Sequence, residues 1–264
     1  MQFDASQNFE IYLFSAVIGL IIGSFLSMLT WRLPRLMLEG EPNILKKLSI
    51  GGSKCPKCST QIPWYRLIPV FSWVLSKGKC HHCEASISPR YPIIELFTAG
   101  LTVACIWHFG ANTTGFISVL FSWILISIFI IDFEHQLILD NLSLPLLWLG
   151  LIVNTQNTFT TPSDAIIGAA VGYLILWTVF HIFKVITGKE GMGYGDFKLL
   201  AALGAWFGLL AIPQIILIAA LSSICIMLTA IILKQRSKET PMAFGPFLAL
   251  GGWSCLFFGT QLFI

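Results

Sequence analysis

The sequence is poor in charged residues. Only 11% of its 264 residues are Asp, Glu, Lys or Arg, and 56% are hydrophobic, whereas a soluble globular domain carries about 25% charged residues. This composition excludes an ordinary water-soluble domain. The mean hydropathy of +0.80 predicts an all-α, polytopic membrane protein.

Apolar stretches recur at the length that a membrane helix needs, about 20 residues for a hydrocarbon layer of about 30 Å. We predict about eight transmembrane helices, the sixth of them short for a full span. They lie near residues 11–31, 92–109, 115–131, 137–153, 165–186, 197–210, 212–233 and 242–263.

Basic residues are missing from particular places. The first ten residues contain Asp4 and Glu10 but no Lys or Arg, which argues against a cleaved signal peptide and favours a retained first span. The loops at 110–115 and 154–163 also lack basic residues, whereas Lys and Arg cluster at 32–90, 184–198 and 234–238. The positive-inside rule therefore predicts a periplasmic N-terminus and basic loops in the cytoplasm. Orientation explains the net charge of +3, and nucleic acid is not expected as a partner.

Four of the seven cysteines lie in the long loop between the first two predicted spans. Two Cys-x2-Cys pairs at this spacing are typical of a zinc site, and a cytoplasmic location disfavours disulfides. Four thiolates close the coordination shell, so we expect a structural Zn²⁺ rather than a catalytic one. The predicted ligands are Cys55, Cys58, Cys80 and Cys83.

Carboxylates at the ends of predicted spans are the strongest functional signal, because acidic side chains are costly in a membrane. By the predicted topology, Asp132 ends the third span and Asp196 begins the sixth on the same, cytoplasmic side. Asp140, near the start of the fourth span, is the rival of Asp132. Lys198 lies two residues after Asp196 and could tune its charge or extend to the membrane surface.

Two carboxylates at one depth can share a proton, since two like charges a few ångströms apart cannot both ionise cheaply. One can deprotonate water while the other polarises a peptide carbonyl, which predicts peptide hydrolysis. The glycines before Asp196, Gly191, Gly193 and Gly195, are expected to allow unusual backbone conformations and close approach of a substrate chain.

Other interpretations remain open from these residues alone. The GMGYGD segment could be a flexible loop in which Asp196 is only the N-cap of the next helix. The aspartates could instead form the proton relay of an ion-coupled transporter, although no convincing inverted repeat is visible. A zinc-containing membrane scaffold would leave Asp132 and Asp196 unexplained.

The motifs resemble those of the type IV prepilin leader peptidases, bacterial inner-membrane aspartic peptidases that are also N-methyltransferases. The resemblance covers nearly the whole chain and includes the two cysteine pairs. It also includes GSFLSMLTWRLP at 23–34, IPVFSWVLSKGKC at 68–80, ISPRYPIIE at 87–95, IDFEHQLILD at 131–140 and KEGMGYGDFKLLAALGAW at 189–206. Leu139 stands where the family usually has Pro, and Ser27 where Asn is common.

The resemblance implies that Asp132 and Asp196 are the catalytic pair, with the family's GxGD signature at 193–196. Asp140, Lys198 and the signature glycines would support the catalytic loop. The expected substrates are type IV prepilins and type II secretion pseudopilins, cut after the Gly of a basic leader at the cytoplasmic membrane face. The resemblance also implies methylation of the new N-terminus with S-adenosylmethionine, although the chain has no G-x-G-x-x-G motif after a strand.

The sequence thus suggests three parts. A first transmembrane helix occupies 1–31, a cytoplasmic four-cysteine zinc loop domain 32–91, and the transmembrane peptidase domain 92–264.

Overall fold

The computed structural model describes residues 5–40, 43–50, 52–55, 57–189, 191–233 and 243–260. Over these ranges the chain is helical, with two isolated β-bridges in the cysteine-containing loop. This confirms the predicted all-helical class. The basic group predicted at 234–238 and the two ends of the last predicted span lie outside the described residues.

Ten α-helices and one 3₁₀ turn, at Trp64–Arg66, occur in the described ranges. The helices are α1 Ala5–Leu38, α2 Ile44–Ile50, α3 Phe71–Leu75, α4 Arg90–Phe109, α5 Thr113–His135, α6 Asp140–Asn154, α7 Pro162–Thr187, α8 Tyr194–Phe207, α9 Ala211–Ile232 and α10 Gly245–Phe258.

Five of these helices, α1, α4, α5, α7 and α9, are long and apolar enough to cross a membrane. Three further helices coincide with predicted spans but are shorter. α6 has 15 residues, and α8 and α10 have 14 each, which corresponds to about 21 to 23 Å at 1.5 Å per residue. Length alone therefore supports five spans rather than the predicted eight.

The first helix is longer than the sequence suggested, since it continues from the predicted end at residue 31 to Leu38. Two side chains one turn apart stabilise this extension. The guanidinium carbon of Arg35 lies 3.5 Å from the centroid of the Trp31 ring, a cation–π contact at the i,i+4 spacing of a helix. The loop between the first two spans therefore begins after this extra helical segment.

The chain forms two compact units, and the first is Met1–Trp123. In it α1 packs along α4 through small residues. A Cβ atom on Gly19 would lie 2.6 Å from the Cα of Ala99, and one on Gly23 would lie 2.7 Å from the Cα of Glu95. Glycine at these positions lets the two backbones approach closely, as is common between membrane helices.

The second unit, Ile124–Ile264, is organised around α8. This helix contacts α6, α7, α9 and α10, and every residue from Leu199 to Phe207 is buried. A Cβ atom on Gly204 would clash with the carbonyl oxygen of Gly168. A Cβ atom on Gly172 would lie 2.8 Å from the carbonyl oxygen of Leu200. α8 is therefore enclosed by protein, and its first turn is held in a defined place.

We expect Gly19→Ala to lower the thermal stability of the purified protein. The added methyl group collides with the backbone of α4, and overpacking of this kind costs about 1 to 3 kcal/mol. Gly100→Ala is the matched control, because nothing lies within 4 Å of its added Cβ and alanine favours helix over glycine. Equal melting temperatures for the two variants in detergent would contradict the packing described for α1 and α4.

Candidate active site and metal centre

Asp132 and Asp196 come together at one end of the second unit. Asp132 lies in the last turn of α5 and Asp196 in the first turn of α8. Both are buried, with 4% and 7% of their surface exposed, and their carboxylates are close enough to interact electrostatically. The structure thus brings together the two carboxylates that the sequence placed at one depth.

The start of α10 holds the carboxylate of Asp132. The backbone N–H of Gly245 donates to Oδ2 of Asp132 at 2.9 Å. A Cβ on Gly245 would lie 2.6 Å from that oxygen and 2.9 Å from Cδ1 of Ile138, so only glycine fits without displacing the carboxylate. Sequence analysis missed Gly245, although a Gly-Pro pair opening the last apolar segment was a visible sign of a helix start.

The start of α8 holds Asp196 in a similar way. The backbone N–H of Gly193 donates to Oδ2 of Asp196 at 3.2 Å. Gly193 is the N-cap and Asp196 the third helical residue, so the alternative that Asp196 is itself the N-cap is wrong. The other oxygen, Oδ1, is buried without a hydrogen-bond partner among the residues that the structure describes. Such an atom is costly to leave unpaired and is available to a substrate or a water molecule.

The glycines of this segment act differently from the expectation. Gly193 has φ −80° and ψ 148°, an extended conformation open to any residue, and neither Gly191 nor Gly195 has a positive φ. What Gly195 provides is space, because its Cβ would lie 2.6 Å from the Cβ of Ile138. Close approach, rather than unusual dihedral angles, therefore explains glycine at position 195.

Asp140 is not part of the buried pair. Both of its carboxylate oxygens accept from Nζ of Lys198, at 2.6 and 2.8 Å, and the side chain of Asp140 is 51% exposed. The ion pair joins the first residue of α6 to the fifth residue of α8. An exposed pair of this kind contributes about 0 to 1 kcal/mol.

The four loop cysteines form a cluster whose sulfur atoms all lie within 4.8 Å of one another. The Sγ atoms of Cys55 and Cys83 are 3.8 Å apart, and those of Cys58 and Cys80 are 4.0 Å apart. A tetrahedron with Zn–S bonds of about 2.3 Å places its sulfurs about 3.8 Å from each other. The donor atoms therefore match the size and chemistry of a four-thiolate zinc site.

The two cysteine pairs share two backbone features among the described residues. In each, the N–H of the first cysteine, Cys55 or Cys80, donates to the carbonyl five residues later, at 3.0 and 2.8 Å. The residue after the second cysteine has a positive φ, 57° at Ser59 and 55° at Glu84. Two equivalent tight turns that tolerate this left-handed conformation are typical of a metal-binding framework.

Hydrogen bonding in the first turn favours the thiolate that a metal needs. Interaction with the side chain and then the backbone of Thr60 lowers the pKa of the Cys58 thiol to about 6, and the Sγ to Oγ1 distance is 3.3 Å. In the second turn, backbone hydrogen bonds from Cys83 and His82 lower the pKa of Cys80. A backbone hydrogen bond from Ala85 acts in the same direction on Cys83, but desolvation and the neighbouring cysteines outweigh it and raise the pKa of Cys83 to about 11. Thiolates, not thiols, are metal ligands.

Comparison with known proteins places this chain in a family. Residues 17–109 match the Bacterial Peptidase A24 N-terminal domain, and residues 119–229 match the Type IV leader peptidase family. The chain belongs to the type IV leader peptidase family. It is 42% identical to the prepilin leader peptidase/N-methyltransferase of Stutzerimonas stutzeri, over 99% of this chain and 96% of that protein.

Two other relatives carry the same name. The chain is 42% identical to the protein of Pseudomonas aeruginosa over 98% of this chain and 94% of the relative. It is also 42% identical to the protein of Xanthomonas campestris, over 94% of this chain and 91% of that relative. No solved structure matches the chain. The near full-length coverage means that both the cysteine loop and the buried aspartates fall within the shared region.

We expect the purified protein to contain one zinc ion per chain and Cys58→Ser to lose it, because a missing thiolate opens the tetrahedron. Metal content measured by mass spectrometry checks this. Cys225→Ser is the matched control, since Cys225 is an exposed cysteine of α9 outside the cluster, and it should retain the metal. Wild-type protein without zinc, or equal zinc in both variants, would refute the assignment.

Proposed function

We propose that this protein is a membrane aspartic endopeptidase that removes the leader from type IV prepilins and type II secretion pseudopilins. The observation that carries the proposal is the pair of buried carboxylates, Asp132 and Asp196, at one end of the second unit. The relatives, which are named prepilin leader peptidase/N-methyltransferase, supply the substrate class.

The chemistry follows from the shared environment of the two carboxylates. Repulsion between like charges favours a state in which the pair holds one proton. The ionised carboxylate takes a proton from a water molecule, which attacks the scissile carbonyl carbon. The protonated carboxylate donates a hydrogen bond to the carbonyl oxygen and so stabilises the developing negative charge. When the C–N bond breaks, the proton passes to the leaving amine.

Backbone hydrogen bonds determine which oxygen atoms take part. In both residues Oδ2 accepts from a glycine N–H at a helix start, Gly245 for Asp132 and Gly193 for Asp196. These bonds fix the orientation of each carboxylate. Within the described part of the chain, Oδ1 of Asp196 has no hydrogen-bond partner, which makes it the atom best placed to contact the water or the scissile carbonyl.

The substrate is proposed to lie with its apolar helix in the bilayer and its basic leader in the cytoplasm. Only the junction between the two must then be extended, and peptidases cut extended chains. Gly193 is exposed, and the described atoms nearest to a Cβ there would be Asp196 Oδ2, at 3.5 Å, and the Gly195 nitrogen, at 4.0 Å. The backbone before Asp196 therefore leaves room for an approaching peptide.

The remaining assignments complete this proposal. The protein would lie in the bacterial inner membrane with a periplasmic N-terminus, and α6, α8 and α10 would bring the number of membrane helices to eight. Zn²⁺ held by the four cysteines would stabilise the cytoplasmic loop domain between the first helix, which extends past the predicted 1–31 to Leu38, and the peptidase domain, 92–264. The loop domain predicted at 32–91 would therefore begin after that extension. Zinc binding is a source of folding free energy for such small segments.

A second activity, N-methylation of the newly formed N-terminus with S-adenosylmethionine as methyl donor, is proposed from the names of the relatives. The transporter alternative gains no support, because the relatives are named as peptidases. The carboxylates also lie in the terminal turns of α5 and α8, not at mid-helix.

We expect Asp132→Asn and Asp196→Asn each to abolish leader release, measured by gel shift with a purified prepilin in detergent and lipid. Positioned general acid–base groups contribute about 10² to 10⁴-fold to a rate, so activity should fall at least that far. Asp140→Asn is the control, because Asp140 is exposed and paired with Lys198, and it should lose severalfold at most. Cleavage by both of the first two variants in folded protein would overturn the aspartyl mechanism.

A further inference from the structure

A strained turn occurs in the cysteine-containing loop at residues 69–71. Val70 has φ 59° and ψ −53°, and the N–H of Phe71 donates to the carbonyl of Pro69 at 2.5 Å. This is a three-residue γ-turn of the less common kind. A β-branched residue with positive φ is an outlier that persists only where its surroundings enforce it.

A buried carboxylate holds this turn. Oε2 of Glu95 accepts from the N–H of Val70 at 2.7 Å, and Glu95 is only 6% exposed. Glu95 lies five residues after Arg90, where α4 begins, which is about 7.5 Å along the helix axis. Because α4 is long and apolar enough to span a membrane, the hydrogen bond ties the turn to the second turn of a candidate span.

The residues around the turn expose large apolar side chains, which we call the 68–75 patch. Phe71, Val74 and Leu75 share one face of α3 at i, i+3 and i+4 spacing, and Ile68 lies before the γ-turn, three residues ahead of Phe71. The exposed fractions are 63% for Phe71, 59% for Val74, 83% for Leu75 and 47% for Ile68. Contiguous exposed apolar groups of this kind mark a site of association with lipid or protein.

The charge around the patch favours lipid over protein as its partner. Residues 43–83 contain seven Lys and Arg and no Asp or Glu, and Lys77 and Lys79, close after the patch, are exposed. An apolar face flanked by cations is the pattern of a segment that lies in the surface layer of a membrane. Cationic segments beside a membrane helix are attracted to anionic headgroups.

We propose that the 68–75 patch is a membrane anchor that inserts into the headgroup layer of the leaflet carrying anionic phospholipid. Glu95 is the positioning residue, since it holds the turn at the level where the apolar side chains meet lipid. The anchor keeps the metal-binding loop flat against the bilayer beside α4. It does not depend on the peptidase proposal, because none of these residues belongs to the aspartate site.

The test uses the full-length protein in lipid nanodiscs with a photo-crosslinking residue, Leu75→benzoylphenylalanine, and a matched control, Glu84→benzoylphenylalanine. Glu84 is an exposed residue of the second cysteine turn. After irradiation, mass spectrometry identifies what is attached. We expect phospholipid adducts at position 75 and few at position 84. Equal lipid labelling at both positions, or attachment at position 75 to protein segments or an added prepilin in place of lipid, would overturn the proposal.

Two further comparisons test whether anionic lipid and Glu95 are responsible for the lipid contact at position 75. Labelling at position 75 should rise severalfold when phosphatidylglycerol is mixed into phosphatidylcholine discs, and no change would refute the role of charge.

Glu95→Gln keeps an acceptor for the Val70 N–H and should preserve the labelling, whereas Glu95→Leu should reduce it. Equal labelling in these two variants would refute Glu95 as the anchor point. An Asp196→Asn background should not alter any of these results, which separates the anchor from peptide cleavage.

Discussion

The burial of α8 is the constraint on which the aspartate site depends. Because this helix is enclosed by α6, α7, α9 and α10, its first turn cannot shift without disturbing the whole second unit. Asp196 sits in that turn and Asp132 in the last turn of α5. The packing of α8 against its neighbours therefore fixes the position of the Asp196 carboxylate. Sites built on rigid elements of this kind hold their groups more precisely than sites on loops.

Glycine has two uses in this packing. Along the helices, Gly168, Gly172 and Gly204 allow backbones to come into direct contact. At the helix starts, Gly193 and Gly245 present N–H groups to the two carboxylates. The same small residue thus brings the helices close enough to exclude water and then supplies hydrogen bonds to the charged groups that remain inside.

Much of this arrangement could be predicted from the sequence. Hydropathy located the apolar helices, and the distribution of Lys and Arg placed Asp132 and Asp196 at one depth, because both signals act over whole segments. Three features escaped prediction. One is that α6 and α10 are shorter than the apolar stretches predicted as spans. The support of Asp132 by Gly245 spans 113 positions, and the pairing of Asp140 with Lys198 spans 58. Contacts between distant residues leave no periodic trace in a single sequence.

The short length of α8 sets the depth at which the proposed peptidase works. α8 ends at Phe207 and the 22-residue α9 begins at Ala211, so in the proposed eight-helix topology the turn between them would lie at one membrane face. Fourteen residues from that face reach about 21 Å, whereas the hydrocarbon layer is about 30 Å thick. In that topology Asp196 would lie several ångströms below the opposite surface, and the length of α8 would determine how far along an embedded substrate the cleaved bond lies.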